Sequence, residues 1–209
     1  MRNLVLLAAL LAACSSATST TTTTAVTPAA PTVSTNAAAI ARAREDSVRY
    51  PYIEADVRFM TNMIRHHAQA IKISHWVPTH GASPAILRLA DRIINAQQDE
   101  ITIMQQWLID RQKPLPGNDA HQHHMHMAGM LTDEQLAQLD KARGAEFDRL
   151  FLTFMIQHHK GAVEMVKELL AVPGAAVDLQ IFKFSSDVNV DQTTEIARME
   201  QMLNALPKN

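Results

Sequence analysis

The sequence carries one pattern twice. Asp56-Val-Arg-Phe59-Met60-Thr61-Asn-Met63-Ile64-Arg-His66-His67-Ala-Gln-Ala70-Ile71 matches Asp148-Arg-Leu-Phe151-Leu152-Thr153-Phe-Met155-Ile156-Gln-His158-His159-Lys-Gly-Ala162-Val163 at a constant separation of 92. A second pair runs at a separation of 95, with Gln97, Glu100, Ile101, Met104 and Leu108 answered by Gln192, Glu195, Ile196, Met199 and Leu203. Self-similarity on this scale means one supersecondary unit used twice. Within each copy the apolar residues recur at spacings of three and four, the period of a helix. A lone helical hairpin buries little, whereas two together close a core. The fold expected is all-α, a four-helix bundle made of two duplicated helical hairpins.

Breakers place the helices. The spacing predicts a helix from about Glu54 to Trp76, stopped by Val77-Pro78-Thr79-His80-Gly81. Ser83-Pro84 reads as an N-cap with proline at the first helical position, opening a helix to about Arg111. Thr132 and Gln135 form a capping box for a short helix that leads past Gly144 into the third long helix. Val172-Pro173-Gly174 ends that one, and a fourth runs to about Leu206. The domain thus spans 44–209, with a His/Met-rich connector over 117–131.

The segment ahead of it has another character. Met1-Arg2-Asn3 and the apolar run Leu4–Leu11 read as a secretory signal over 1–13, too short for a spanning helix of about 20 residues. Leu11-Ala12-Ala13-Cys14 resembles a bacterial lipobox, which implies cleavage before Cys14 and lipidation of its sulfur. Ser15 in place of aspartate favours an outer-membrane destination over inner-membrane retention. From Ser15 to Ala39 the chain is nine Thr, seven Ala, four Ser, two Pro, two Val and one Asn, with no charged or aromatic residue. Residues 14–43 are therefore expected as a lipidated, disordered tether. The protein would be exported, membrane-anchored through Cys14 and otherwise soluble.

Nineteen Lys+Arg against 21 Asp+Glu leave a net charge of −2, without the basic surplus that a nucleic-acid partner requires. Six glycines and 5% aromatics speak against a β-sandwich or a Gly-rich nucleotide fold. The counts that stand out are 10 His and 11 Met. On a helical wheel Asp56, Phe59, Met60, Met63, His67, Ala70 and Ile71 share one face with His66 at its edge, and the repeat gives the third long helix the same face. The second helix turns Ile93, Ala96, Gln97, Glu100, Met104 and Trp107 inward. Met63 and His67 lie one turn apart, as do Met155 and His159, so thioether and imidazole can reach one point. That ligand set is soft and neutral, suited to Cu(I). Taken singly, an inward Met is core filler and an inward His is hydrogen-bonded, with Glu100 as an available partner. The doublets His66-His67 and His158-His159, each behind a Met at the same spacing, shift the balance towards metal. Asp56 lies about 16 Å along the helix axis from His67 and would serve a second polar site or a helix end.

The connector His121-Gln-His123-His124-Met125-His126-Met127-Ala-Gly-Met130 packs four His and three Met into ten residues. Such a tract is a compositional metal-binding signal, and its donors accept Cu(II), Zn²⁺ and Cu(I), with copper ahead of zinc. Thiolate sites, P-loops, dinucleotide fingerprints and H-E-x-x-H are missing from the sequence. Glu100 and Glu195 lack the His three residues on that a ferritin-like di-iron centre uses.

At these residues the chain resembles the domain of unknown function 305 family, secreted bacterial proteins with a ferritin-like four-helix domain. The resemblance spans roughly Asp46 to Leu206 and rests on the two Asp-Phe-Met-Ile-His-His motifs, on Gln97-x-x-Glu100-Ile101-x-x-Met104 and on His123-His124-Met125-His126-Met127-x-Gly129-Met130. It implies periplasmic copper binding and tolerance, with His66, His67, His158, His159, Met63, Met104, Met155 and Met199 as ligands. The leading expectation is an envelope copper-binding protein that sequesters the metal or passes it to a copper-handling partner. Capture would fall to His121, His123, His124, Met125, His126, Met127 and Met130, and tighter holding to the bundle. One alternative is a ferritin-like metal oxidoreductase using Glu100 and Glu195, although a non-enzyme is favoured. The other is a metal-free helical interaction module.

Overall fold

The computed structural model describes residues 36–117 and 127–207. Six helices follow one another: α1 (Ala37–Arg49), α2 (Glu54–Ser74), α3 (Pro84–Asp110), α4 (Asp133–Lys141), α5 (Gly144–Leu170) and α6 (Leu179–Ala205), with a 3₁₀ turn at Val77–Thr79. No strand occurs among the described residues. α2 packs on α3 and α5 packs on α6, and the two hairpins meet along α2 and α5. The four long helices form the expected bundle.

The duplicated unit is larger than a hairpin. α1 ends at Arg49 and α4 at Lys141, the same separation of 92 that relates α2 to α5. Each half is thus a short helix followed by two long ones. Their short helices sit differently, α1 against α3 and α4 against α5. α1 also corrects the expected tether, because residues 37–43 are helical rather than disordered. Asn36 caps the helix by accepting from Ala38 N at 2.8 Å, and Ala43 is buried. An alanine-rich stretch needs only a cap and one packed face to become helical.

Caps fix the other ends. Thr132 accepts from Gln135 N while the Gln135 side chain accepts from Thr132 N, the capping box expected at α4. Asp178 opens α6 by accepting from Gln180 N and Ile181 N. Its other oxygen takes a 2.5 Å ion pair from Arg111, whose guanidinium lies 4.4 Å from the centre of the Trp107 ring.

Asp56 and Asp148 turn out to be helix-end partners that link the two hairpins. Asp56 accepts from Ile53 N at its own helix start and from Ala176 N in the α5–α6 turn, at 2.8 Å each. Asp148 accepts from Ser83 N in the α2–α3 turn with both oxygens, at 3.1 and 3.2 Å. Each aspartate therefore closes the turn of the opposite half.

The apolar core is split in two. One cluster gathers the first half of α2 (Phe59, Met63) with the second halves of α3 (Met104, Trp107) and α5 (Met165, Leu169). The other gathers the second half of α2 (Ile73) with the first halves of α3 (Ile86, Ile93) and α5 (Phe147, Phe151, Met155), and includes Met199. Between them, at mid-height on all four long helices, lies a buried layer of His66, His67, Gln97, His158, His159 and Gln192. Ala96, expected in the inward stripe of α3, is exposed, while Ile101, outside that stripe, is buried.

Candidate metal centre

The four histidines of this layer are completely buried, with no solvent-accessible surface. His67 on α2 donates from Nε2 to Glu100 Oε2 on α3 at 2.6 Å, and His159 on α5 donates from Nε2 to Glu195 Oε2 on α6 at 2.8 Å. Both glutamates keep about a sixth of their side chains in solvent, so each links a buried imidazole to the surface. Burial pushes the Glu195 carboxyl up, but the hydrogen bond and charge of His159, aided by Arg92, hold it below the ordinary value.

His66 does not sit at the edge of the helix, as a single-stripe wheel places it. α2 has two neighbours, α3 on one side and α5 on the other, so adjacent residues can both point inward. His67 faces α3 and His66 faces α5, where its ring centre lies 3.8 Å from that of His158. Burial drives the His66 ring down to about pKa 3, with His67 adding to the shift, and holds His158 well below its ordinary value, with His66 adding there. Both rings are neutral at physiological pH, the form that binds metals.

Hydrogen bonding decides which nitrogen of each ring is free. A carboxylate or carbonyl oxygen accepts, so Nε2 carries the hydrogen in His67 and His159, and also in His66, which donates to Ala128 O at 3.1 Å. Nδ1 of all three is buried and without a partner. Both nitrogens of His158 are unpartnered. Of ten such atoms among the described residues, eight belong to this layer, Gln97 and Gln192 supplying the rest. Leaving each of them unsatisfied costs about 1–3 kcal/mol. Metal-ligating imidazoles commonly have their second nitrogen held in this way by a carboxylate or a carbonyl.

Met63 and Met155, one turn before His67 and His159, are fully buried, as are Met104 and Met199. All four contribute to the apolar clusters on either side of the layer. Among the described residues, no group of three or more His, Asp or Glu side chains is arranged to hold an ion. Met130, expected in the free connector, is instead buried against the bundle together with Leu131. Met127 is half-buried, while His121, His123, His124, Met125 and His126 lie outside the described residues, as does Cys14.

The two halves differ in charge. Arg92 of α3 pairs with Glu195 at 3.3 Å, but the position equivalent to Arg92 in α6 is Asp187. Burial, followed by Glu100, Asp187 and Glu195, raises the Asp191 carboxyl. Sequence reasoning missed Ala128, Gln69, Gln157 and Gly161, which seat the end of the connector on the layer. A glycine in mid-helix was the available signal for the last of these.

The family model described as a domain of unknown function, DUF305, matches residues 56–203. The chain belongs to the DUF305 family. A DUF305 fragment from Deinococcus radiodurans is 28% identical, with 74% of this chain and 99% of that one covered at a TM-score of 0.65. A candidate secreted DUF305 protein of Streptomyces coelicolor is also 28% identical, with 72% and 92% covered at 0.62. CopM in its Cu(I)-bound form is again 28% identical, with 71% and 95% covered at 0.56, and has also been solved with Cu(II). The chain spans 37% of a curated relative, an uncharacterized protein of Acanthamoeba polyphaga mimivirus, at 39% identity over 56 residues. No helix among the described residues is long and apolar enough to cross a membrane.

Proposed function

We propose that this DUF305 protein is an exported copper-binding protein of the cell envelope that holds Cu(I) in the mid-bundle layer and sequesters it or passes it on. The observation that carries this reading is the hydrogen bonding of the layer: His66, His67 and His159 each give Nε2–H to a protein acceptor and keep a buried, unpartnered Nδ1. Buried donors of this kind gain on meeting a metal what they lack without one. Met63 and Met155 add a thioether one turn from His67 and His159, a combination that selects Cu(I) over hard cations. The likeness to CopM, solved with Cu(I) and with Cu(II), supports copper over zinc. His121, His123, His124, Met125, His126, Met127 and Met130 form the capture tract in this reading, with Met130 as its buried anchor on the bundle. Export through the N-terminal signal and lipidation of Cys14 would keep the domain at the membrane, within a copper-handling envelope.

An anaerobic Cu(I) titration of the full chain against a chromophoric competitor tests the reading. Variants with His67→Ala and His159→Ala together, and with residues 121–126 removed so that the 127–131 segment stays, separate layer from connector. Tight binding lost in the double variant supports holding in the layer. Binding lost only with the connector makes the bundle a scaffold, and no binding by the parent chain removes copper altogether.

A further inference from the structure

The end of the connector is built into the layer, and it meets the two halves differently. Met127 to Leu131 cross α2 and α5 as a strap. On α2, Gln69 grips both backbone polar groups of one residue, accepting from Leu131 N at 2.8 Å and donating to Leu131 O at 3.1 Å. On α5 the backbones of Gly129 and Gly161 touch. A Cβ added at Gly161 would lie 2.1 Å from Ala128 O, and one at Gly129 would lie 2.6 Å from Gly161 Cα. Gly129 also has φ +75°, in the region that favours glycine. Gln69 and Gly161 are equivalent positions of the repeat, 92 apart. At that register one copy carries an amide that clamps the strap, and the other carries no side chain, which lets the strap in.

What the strap delivers is the Ala128 carbonyl, which holds His66 Nε2 at 3.1 Å. The equivalent ring, His158, makes no hydrogen bond of this kind, and the His66 backbone is the one acceptor that weakly approaches it. We propose that Gly161 and Gln69 are positioning residues of the copper site: they seat the 127–131 strap so that Ala128 O locks His66 with Nδ1 as its one free donor. This rests on the copper reading for the role of that donor, but not for the lock itself. The lock makes His66 and His158 unequal ligands. His66 offers Nδ1 without reorganisation, whereas His158 must select a tautomer when metal arrives. In metal sites, residues that orient a ligating imidazole affect affinity about tenfold or more when lost.

The experiment uses the full chain with Gly161→Ala and, separately, Gln69→Ala, which removes the clamp without a clash and covers the case in which the first variant fails to fold. Nitrogen-15 spectra of the metal-free protein report the His66 tautomer, and an anaerobic Cu(I) competition titration reports affinity. The expected result is a single Nε2–H tautomer for His66 in the parent, mixed tautomers in both folded variants and a Cu(I) affinity lower by about tenfold. His66 remaining in one tautomer in the folded variants would overturn the lock. Mixed tautomers with unchanged Cu(I) affinity would overturn the positioning role. A His66→Ala, His158→Ala chain that binds Cu(I) as the parent does would remove both histidines from the copper site and the positioning role with them, while the tautomer result would stand.

Discussion

Replacing His158 by leucine should make the metal-free protein more stable, which distinguishes a layer built for a ligand from one built for the fold. His158 is fully buried and neither ring nitrogen has a partner. Removing two unsatisfied nitrogens returns about 1–3 kcal/mol each. The change forfeits the ring contact with His66 at 3.8 Å, worth about 0.5–1.5 kcal/mol, and leucine fills a similar volume. The net expectation is a gain of about 2 kcal/mol at pH 7.5, or about 4–8 °C in Tm for a domain of this size. The pH arm is sharper. Below the ordinary histidine value of about 6.5 the unfolded chain takes up protons that the buried rings refuse, so stability falls as pH falls. For His66 that window runs from about 6.5 down to about 3. Each ring contributes a slope of about 1.4 kcal/mol per pH unit, so the two together give about 2.7, and His158→Leu should halve it. Urea denaturation of the metal-free chain, followed by circular dichroism between pH 5 and 7.5, measures both quantities. A variant less stable than the parent at pH 7.5, or one with an undiminished slope, would refute the reasoning.

Breaking the Arg111–Asp178 pair with Arg111→Met should cost about 3–5 kcal/mol in urea denaturation, since both side chains are buried and the remaining carboxylate would stand alone. Asp56→Ala should destabilise by about 1–2 kcal/mol and more than Asp148→Ala, because it strands two backbone N–H groups rather than one. Glu100→Gln and Glu195→Gln should each lower Cu(I) affinity by about 10–100-fold in the competition titration, by releasing the tautomer of His67 or His159.

The repeat was enough to place the four long helices, their faces and the recurring His doublets, because helical period and duplication are written in local sequence. What it could not place came from contacts between distant segments. α1 begins inside a stretch whose composition matches a tether, and its cap at Asn36 together with packing against α3 makes it a helix. His66 falls at the edge of any single-stripe wheel, yet a bundle helix with neighbours on two sides buries a wider arc. Asp56 could be kept away from the metal by its rise along the helix, but not matched to Ala176 N, 120 residues away. Ala128 contributes through its carbonyl, which no side-chain pattern records.

Duplication explains why so costly a layer can exist. A single hairpin would leave its His doublet half in water, where imidazoles satisfy themselves and bind metals weakly. Two copies face to face exclude that water and bring His66 against His158, two rings whose burial keeps both neutral. Identical copies would also give identical ligands. This chain departs from its own repeat where it matters: Gln69 against Gly161 to seat the strap, and Arg92 against Asp187 beside the glutamates. A fold made by repetition thus acquires a held ring and a free one, and in the copper reading that inequality gives an incoming ion an order in which to meet its donors.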